Sequence, residues 1–235
     1  MKKFLSLLLF SVLCLTVHAR TYVLVVGVSN YQGTDNDLQQ STKDAKAFYE
    51  VMSAHTNDVT ILTSKNAYRR NVLDKLNQIA GAAQSGDCIM LFYSGHGAPG
   101  YICLYDDPLA YSDIVNSMKR SKASQKVLII DACHAGTVQD DISQHSFNEK
   151  DGLICLMSCR PDEYSMENAI LGAGFFTQGI IKAIRGKGDS NRDKRITVIE
   201  AFKYAYADVV KRSEQKQHPQ LIAPQSAHND VLVRW

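Results

Sequence analysis

Charge of one sign is scarce in this chain. Lys and Arg number 26 against 24 Asp and Glu, and two of the basic residues are Lys2 and Lys3 at the very start. From residue 20 onward the balance is neutral, with no long basic run. A surface without a basic stripe offers no track for a phosphate backbone, so nucleic acid is not an expected partner. Long apolar runs are scarce as well. Beyond the N-terminal segment none approaches the roughly 20 residues that a membrane-spanning helix needs, so no membrane segment is expected there. Internal repeats and low-complexity tracts are lacking, and 235 residues suffice for one domain with a full core. No Cys-x-x-Cys pair occurs, since three residues separate Cys155 from Cys159. A thiol oxidoreductase is thereby disfavoured.

What is present begins with Lys2-Lys3, the apolar run Phe4–Val17 and the triplet Val17-His18-Ala19. A basic start, an apolar stretch too short to span a bilayer and a small-x-Ala site are the parts of a secretory signal peptide. Leu13 is too bulky, placed before Cys14, for a lipoprotein signal. Cleavage after Ala19 is expected, leaving residues 20–235 as one exported domain, periplasmic or secreted. Five cysteines follow the leader, and an odd count leaves at least one thiol unpaired. Cys88, Cys103 and Cys155 lie in apolar runs and read as small core residues. No disulfide framework is expected, with a Cys155–Cys159 link left open.

Strand-like and helix-like segments alternate. Thr21–Val28, Val59–Leu62, Asp87–Tyr93, Lys126–Ile130 and Leu153–Met157 read as strands. Ser41–His55, Tyr68–Ala83, Asp113–Met118, Phe175–Ile184 and Val198–Val210 read as helices, from apolar residues at helical spacing such as Ala45, Phe48, Val51 and Met52. Tyr101–Leu104 reads as a hairpin arm, Val231–Val233 as a strand closing the sheet, and the polar stretch Thr137–Lys150 as a mobile loop. Such alternation implies βαβ units: an α/β fold with a mostly parallel central sheet and helices on both faces, a three-layer sandwich.

Two of these strands end alike. Ile89-Met90-Leu91-Phe92-Tyr93 runs into Ser94-Gly95-His96-Gly97, and Val127-Leu128-Ile129-Ile130 runs into Asp131-Ala132-Cys133-His134-Ala135-Gly136. Buried parallel strands give continuous apolar runs, and ligands of open α/β sheets bind beyond the strand C-termini. A cysteine and a histidine at two such ends are the minimum for thiolate catalysis. Cys133 would supply the sulfur, and His96 would take its proton and return one to the leaving amine. Gly97, without a side chain to shield its N–H, and Cys133 would supply oxyanion donors. His134 adjoins Cys133, but neighbouring residues at a strand end point apart, so His96 is the expected base; His145 reads as a solvated loop histidine.

These motifs resemble those of the caspase and metacaspase peptidases. Tyr31-Gln32-Gly33-Thr34, the run Ser158–Ser165 and Gly174-Phe175-Phe176-Thr177 add to the resemblance, which extends from about Tyr22 to Val210. It implies a caspase-like sandwich and a cysteine endopeptidase with a His–Cys dyad, acting on protein or peptide substrates and needing no cofactor for its chemistry. The alternative is a catalytically silent caspase-like module that binds a protein or peptide. In animal caspases the nucleophile motif reads Gln-Ala-Cys; here Asp131 replaces the glutamine. The arginine that aspartate-cutting members carry before the first-loop Gly-Thr is Gln32 here. Metacaspase-like members bind a substrate Arg or Lys through acidic residues, and the resemblance assigns that role to Asp44 and Asp131. Cleavage after Arg or Lys follows, because a carboxylate at a pocket base attracts a cation. Glu163 is a further candidate for this pocket. The other reading of Asp44 is a capping box with Ser41, and of Asp131 a brace for the turn. The resemblance also suggests activation by cleavage in the loop after Cys133, and Lys150 is the candidate self-cleavage site.

A second candidate site is Asp189-Ser190-Asn191-Arg192-Asp193-Lys194-Arg195-Ile196-Thr197-Val198-Ile199-Glu200. Asp189, Asn191, Asp193 and Glu200 fall at ligand positions of an EF-hand calcium loop, but Lys194 stands where that loop wants glycine. The alternative is a polar loop in which Asp193 or Thr197 caps the next helix.

Overall fold

The computed structural model describes residues 19–33, 37–144, 151–168 and 173–235. In chain order the strands of the main sheet are β1 (Thr21–Gly27), β2 (Val59–Thr63), β3 (Cys88–Ser94), then, after a small three-stranded sheet of β4 (Gly97–Ala98), β5 (Tyr101–Cys103) and β6 (Pro108–Ala110), β7 (Gln125–Asp131) and β8 (Leu153–Met157). A two-residue ribbon joins β9 (Glu167–Asn168) to β10 (Ala173–Gly174), and β11 (Arg195–Thr197) precedes β12 (Gln220–Ile222) and β13 (Val231–Arg234). The helices are α1 (Ser41–Ser53), α2 (Arg69–Ala82), α3 (Tyr111–Arg120), α4 (Val138–Gln144), α5 (Phe175–Lys182) and α6 (Val198–Arg212).

The main sheet runs β12-β8-β7-β3-β1-β2, all parallel except β12. Its residues alternate between two cores, as strand geometry requires. Val23, Val25, Met90, Phe92, Val127 and Ile129 face α1, α5 and α6, whereas Leu24, Val26, Leu91, Leu128 and Ile130 face α2 and α3. The Phe48 and Phe92 rings stack at 4.2 Å, both fully buried. Burying one such ring contributes about 1.5–3 kcal/mol. The expected three-layer α/β sandwich is what the chain forms.

Two elements depart from the sequence expectation. Val231–Val233 does not close the main sheet; β13 pairs antiparallel with β11 in a separate ribbon, and β12 closes the sheet beside β8. A three-residue strand, Gln-Leu-Ile, carries too short an apolar signal to be read in advance. The stretch after Cys133 is not a loop as far as it is described. A 3-10 turn over Ala135–Thr137 leads into α4, because Val138 is buried and Ile142, one turn on, packs against the same core. Lys150 and His145 lie outside the described residues, as do residues 1–18 of the expected signal peptide. Among the described residues no helix is long and apolar enough to cross a membrane.

Candidate active site

Register brings the two motifs together. β3 and β7 are paired parallel with Ser94 opposite Asp131, and the Gly95 N–H donates to the Asp131 carbonyl at 3.2 Å. His96 and Cys133 each follow by two residues, so they emerge side by side at the C-terminal edge of the sheet. Both line one cavity of about 300 Å³, with Leu38, Ser41, Asp44, Ser94, Asp131, Ser165 and Gly174. A larger cavity of about 640 Å³ also borders His96, lined by Gly97, Tyr31, Gln32 and Asp107 among others. It lacks Cys133, so the smaller cavity is where thiol chemistry can occur.

The backbone around each residue is fixed by polar contacts. The His96 N–H donates to the Tyr31 hydroxyl at 2.7 Å, that hydroxyl donates to the Val28 carbonyl at 3.0 Å, and the Tyr31 and His96 rings lie 4.9 Å apart. The buried Tyr93 hydroxyl lies 2.7 Å from the His96 carbonyl. On the other strand, the Ser158 hydroxyl donates to the Ala132 carbonyl at 3.0 Å and accepts from the Ala132 N–H at 3.2 Å. A Cβ on Gly97 would run into the Cys133 carbonyl oxygen, so glycine is needed here for close approach of the two strand ends. The His96 carbonyl accepts from the Cys103 N–H. By the alternation of antiparallel pairs the Gly97 N–H then points away from β5, available as a donor.

Two buried carboxylates share the cavity. Asp131 Oδ1 accepts from the Ser165 hydroxyl at 2.5 Å, and Oδ2 from the Thr177 hydroxyl at 2.6 Å and the Thr177 N–H at 3.0 Å. Burial pushes the Asp131 carboxyl above its ordinary range, and these hydrogen bonds offset part of the shift. Asp44 accepts from the Gly174 N–H at 3.0 Å and the Ser94 hydroxyl at 3.4 Å. The space where Gly174 would carry a Cβ is taken by both carboxylates, so Asp44 and Asp131 converge on one point at the N-terminus of α5. The capping box with Ser41 does not form: Gln40 precedes α1 without a side-chain cap. Asp44 instead braces Gly174, 130 positions away in sequence. The brace reading of Asp131 and a pocket role are compatible, since both carboxylates remain on the cavity wall.

Other candidates go elsewhere. Glu163 does not line this cavity. It accepts from the His218 ring at 2.7 Å and the His218 N–H at 2.8 Å; burial raises its carboxyl, but these donors and the Arg160 N–H hold it below the usual range. Its carbonyl accepts from the His134 N–H at 3.0 Å, so Glu163 ties the turn after Cys133 to the segment before β12. His134 stands in the left-handed region (φ 57°) with its ring nitrogen 2.8 Å from the Pro161 carbonyl and its ring edge-on to Tyr164. No disulfide joins the five described cysteines. Burial pushes Cys88 up to about 12, Cys159 up to about 11, and Cys103 and Cys155 upward as well, so these four are poor thiolates.

The calcium candidates serve donors of their own loop and of the next helix's cap. Asp189 accepts from the Asp193 and Lys194 N–H groups at 3.1 Å, Asn191 from the Asp193 N–H at 2.9 Å and Asp193 from the Arg195 N–H at 2.9 Å. Glu200 forms the reciprocal capping box of α6 with Thr197 and accepts from the Ser190 hydroxyl at 2.9 Å. Lys194 holds a left-handed φ of 63° at the position where an EF-hand loop has glycine. Among the described residues no three His, Cys, Asp or Glu are arranged to hold a metal ion.

Sequence reasoning missed Tyr31, Tyr93, Ser158, Ser165, Gly174 and Thr177. Most stand inside runs that carried the family resemblance, but the contacts that tie Tyr31, Ser158, Ser165, Gly174 and Thr177 to the site reach 26 or more positions along the chain.

The fold and this edge of the sheet fit a known class. The Peptidase C14 family, described as the caspase domain, matches residues 20–229. The chain belongs to this family of caspase-like cysteine peptidases. It is 23% identical over 229 residues to "Metacaspase-1" of Scheffersomyces stipitis, covering 81% of this chain and 55% of that protein. To the "Paracaspase" of Dictyostelium discoideum it is 25% identical over 185 residues, covering 71% and 44%. The chain thus spans about half the length of these relatives. Among solved structures it is similar to caspase-1 from Spodoptera frugiperda (TM-score 0.67, 13% identity, 87% of this chain and 86% of that one). A protein from Geobacter sulfurreducens gives a TM-score of 0.68 at 19% identity over 89% of this chain and 96% of that one. At such identities the structural likeness speaks for the fold.

Proposed function

We propose that this protein is an exported cysteine endopeptidase that cleaves protein or peptide chains after Arg or Lys, with Cys133 as nucleophile and His96 as base. The observation that carries the reading is the shared cavity, where a cysteine and a histidine at matched strand ends meet two buried carboxylates. A substrate Arg or Lys would enter between Asp44 and Asp131, where its positive charge meets carboxylates already held rigid by Ser165, Thr177 and Gly174. His96 would take the Cys133 proton as sulfur attacks the carbonyl carbon. The Gly97 and Cys133 N–H groups would hold the oxyanion. Collapse would break the C–N bond, with His96 passing its proton to the leaving amine and an acyl-thioester remaining on Cys133. Water, deprotonated by His96, would then release the acid and restore the thiol.

A peptide ending in Arg and bearing a thiol-reactive ketone tests this reading. Covalent label located at Cys133, slowed by His96→Ala, is expected. Label spread over other cysteines, or none, would move the reading to the peptide-binding module that uses the same cavity without chemistry.

A further inference from the structure

Far from this edge, where the central strands begin, one backbone N–H is held by an unusual partner. The Arg20 N–H donates to Asp87 Oδ1 at 2.8 Å. Asp87 is 4% exposed, and its other oxygen accepts from the Gln84 N–H at 2.8 Å. Asp87 joins no ion pair among the described residues: a buried carboxylate is served here by neutral backbone donors. The same residue is gripped twice more, since the Arg20 side chain pairs with Asp58 at 3.3 Å and its carbonyl accepts from the Cys88 N–H at 2.8 Å. A cavity of about 650 Å³ lined by Ala19, Arg20, Gly86, Ser124 and Gln125 adjoins the pair. Gln125, one of its lining residues, has its amide nitrogen buried without a partner.

We propose that Asp87 is the docking site for a new N-terminus created by cleavage between Ala19 and Arg20, a reading that rests on the signal peptide expected from Lys2 to Ala19. Hydrolysis adds water across that amide: the C–N bond breaks, Ala19 leaves as a carboxylate, and the Arg20 nitrogen takes up protons to become an ammonium. The neutral donor at 2.8 Å from Asp87 becomes a cation at the same place. A buried carboxylate gains the counter-ion it lacked, and a charge-assisted bond replaces a neutral one. The ammonium's additional donors face the adjoining cavity, where water can satisfy them. Removal of the leader thus stabilises the domain at the start of β1, independently of any peptidase activity.

Three measurements test it. The intact mass of the exported protein is expected to begin at Arg20, and a start at any other residue would overturn the proposal. Protein prepared with Arg20 as its first residue is expected to melt about 2–4 °C above protein that begins with acetylated Ala19. Asp87→Asn is expected to erase that difference; equal lowering of both forms would mean that Asp87 is only a structural acceptor. Should Asp87→Asn fail to fold, amine-selective labelling decides. The Arg20 α-amine in the native protein should react more slowly than in the unfolded chain, and equal rates would contradict docking. None of these readouts depends on peptide hydrolysis, so they stand or fall apart from the proposed activity.

Discussion

Two acidic clusters of this chain end in opposite ways. Asp44 and Asp131 lie 87 positions apart in sequence and meet on one cavity wall, buried, with their oxygens aligned by hydroxyls and by the first N–H groups of α5. Asp189, Asn191, Asp193 and Glu200 lie within twelve residues of one another, yet each spends its oxygens on nearby donors, mostly backbone N–H groups of the same loop. Closeness in sequence favours local turns and caps, because Asx turns and capping boxes satisfy carboxylates before any ligand arrives. Convergence across the fold instead leaves carboxylates facing a cavity, since the elements that hold them are fixed by the core.

Breaking the cavity cluster should have the largest effect. Cys133→Ala is expected to lower the peptide-cleaving rate at least about a thousandfold with little change in melting temperature, read by hydrolysis and calorimetry. Gly97→Ala is expected to cost nearly as much activity and, by pressing a methyl into the Cys133 carbonyl, about 1–3 kcal/mol of stability. Partial loss of activity with normal stability would show that the strand ends have room to part.

Asp131→Asn should reduce cleavage after Arg and Lys about a hundredfold or more while raising tolerance of uncharged residues. The pH profile adds a sign. Burial raises the folded carboxyl above its unfolded value, so in the free enzyme Asp131 ionises, and kcat/KM for basic substrates rises, only above the usual carboxylate range. For stability the same shift favours the folded state below the unfolded pKa, and that contribution is lost as pH rises through the folded one. Asp131→Asn should abolish this limb from both curves. At the surface loop, Thr197→Ala is expected to cost about 0.5–2 kcal/mol by removing the cap of α6, with activity unchanged. Smallest of all, chelator or added calcium should alter neither melting temperature nor activity. A calcium-dependent rise in melting temperature, lost in Glu200→Gln, would give the loop a ligand after all.

The sheet, its helices and both strand-end residues were legible because they depend on runs of apolar residues and on small-residue turns, which are local signals. The pairing of Asp44 with Gly174 and of Asp131 with Ser165 and Thr177 was not, since each joins residues at least 34 positions apart. Glu163 misled because a charged side chain near a site motif carries no sign of its partner; His218, 55 positions on, claims it. At the EF-hand pattern the hydrogen bonds are as local as the spacing, and the capping alternative is the part they carry, with Thr197 as the cap of α6.

The account turns on Asp44 and Asp131 forming a cation-selective pocket beside Cys133. Its most direct test is hydrolysis of fluorogenic peptides ending in Arg, Lys, Asp or Ala by the protein prepared from Arg20 onward, by Cys133→Ala and by Asp131→Asn. Cleavage after Arg and Lys that vanishes in Cys133→Ala and loses its charge preference in Asp131→Asn is the predicted result. Cleavage after Asp, or an unaltered preference in Asp131→Asn, would contradict it.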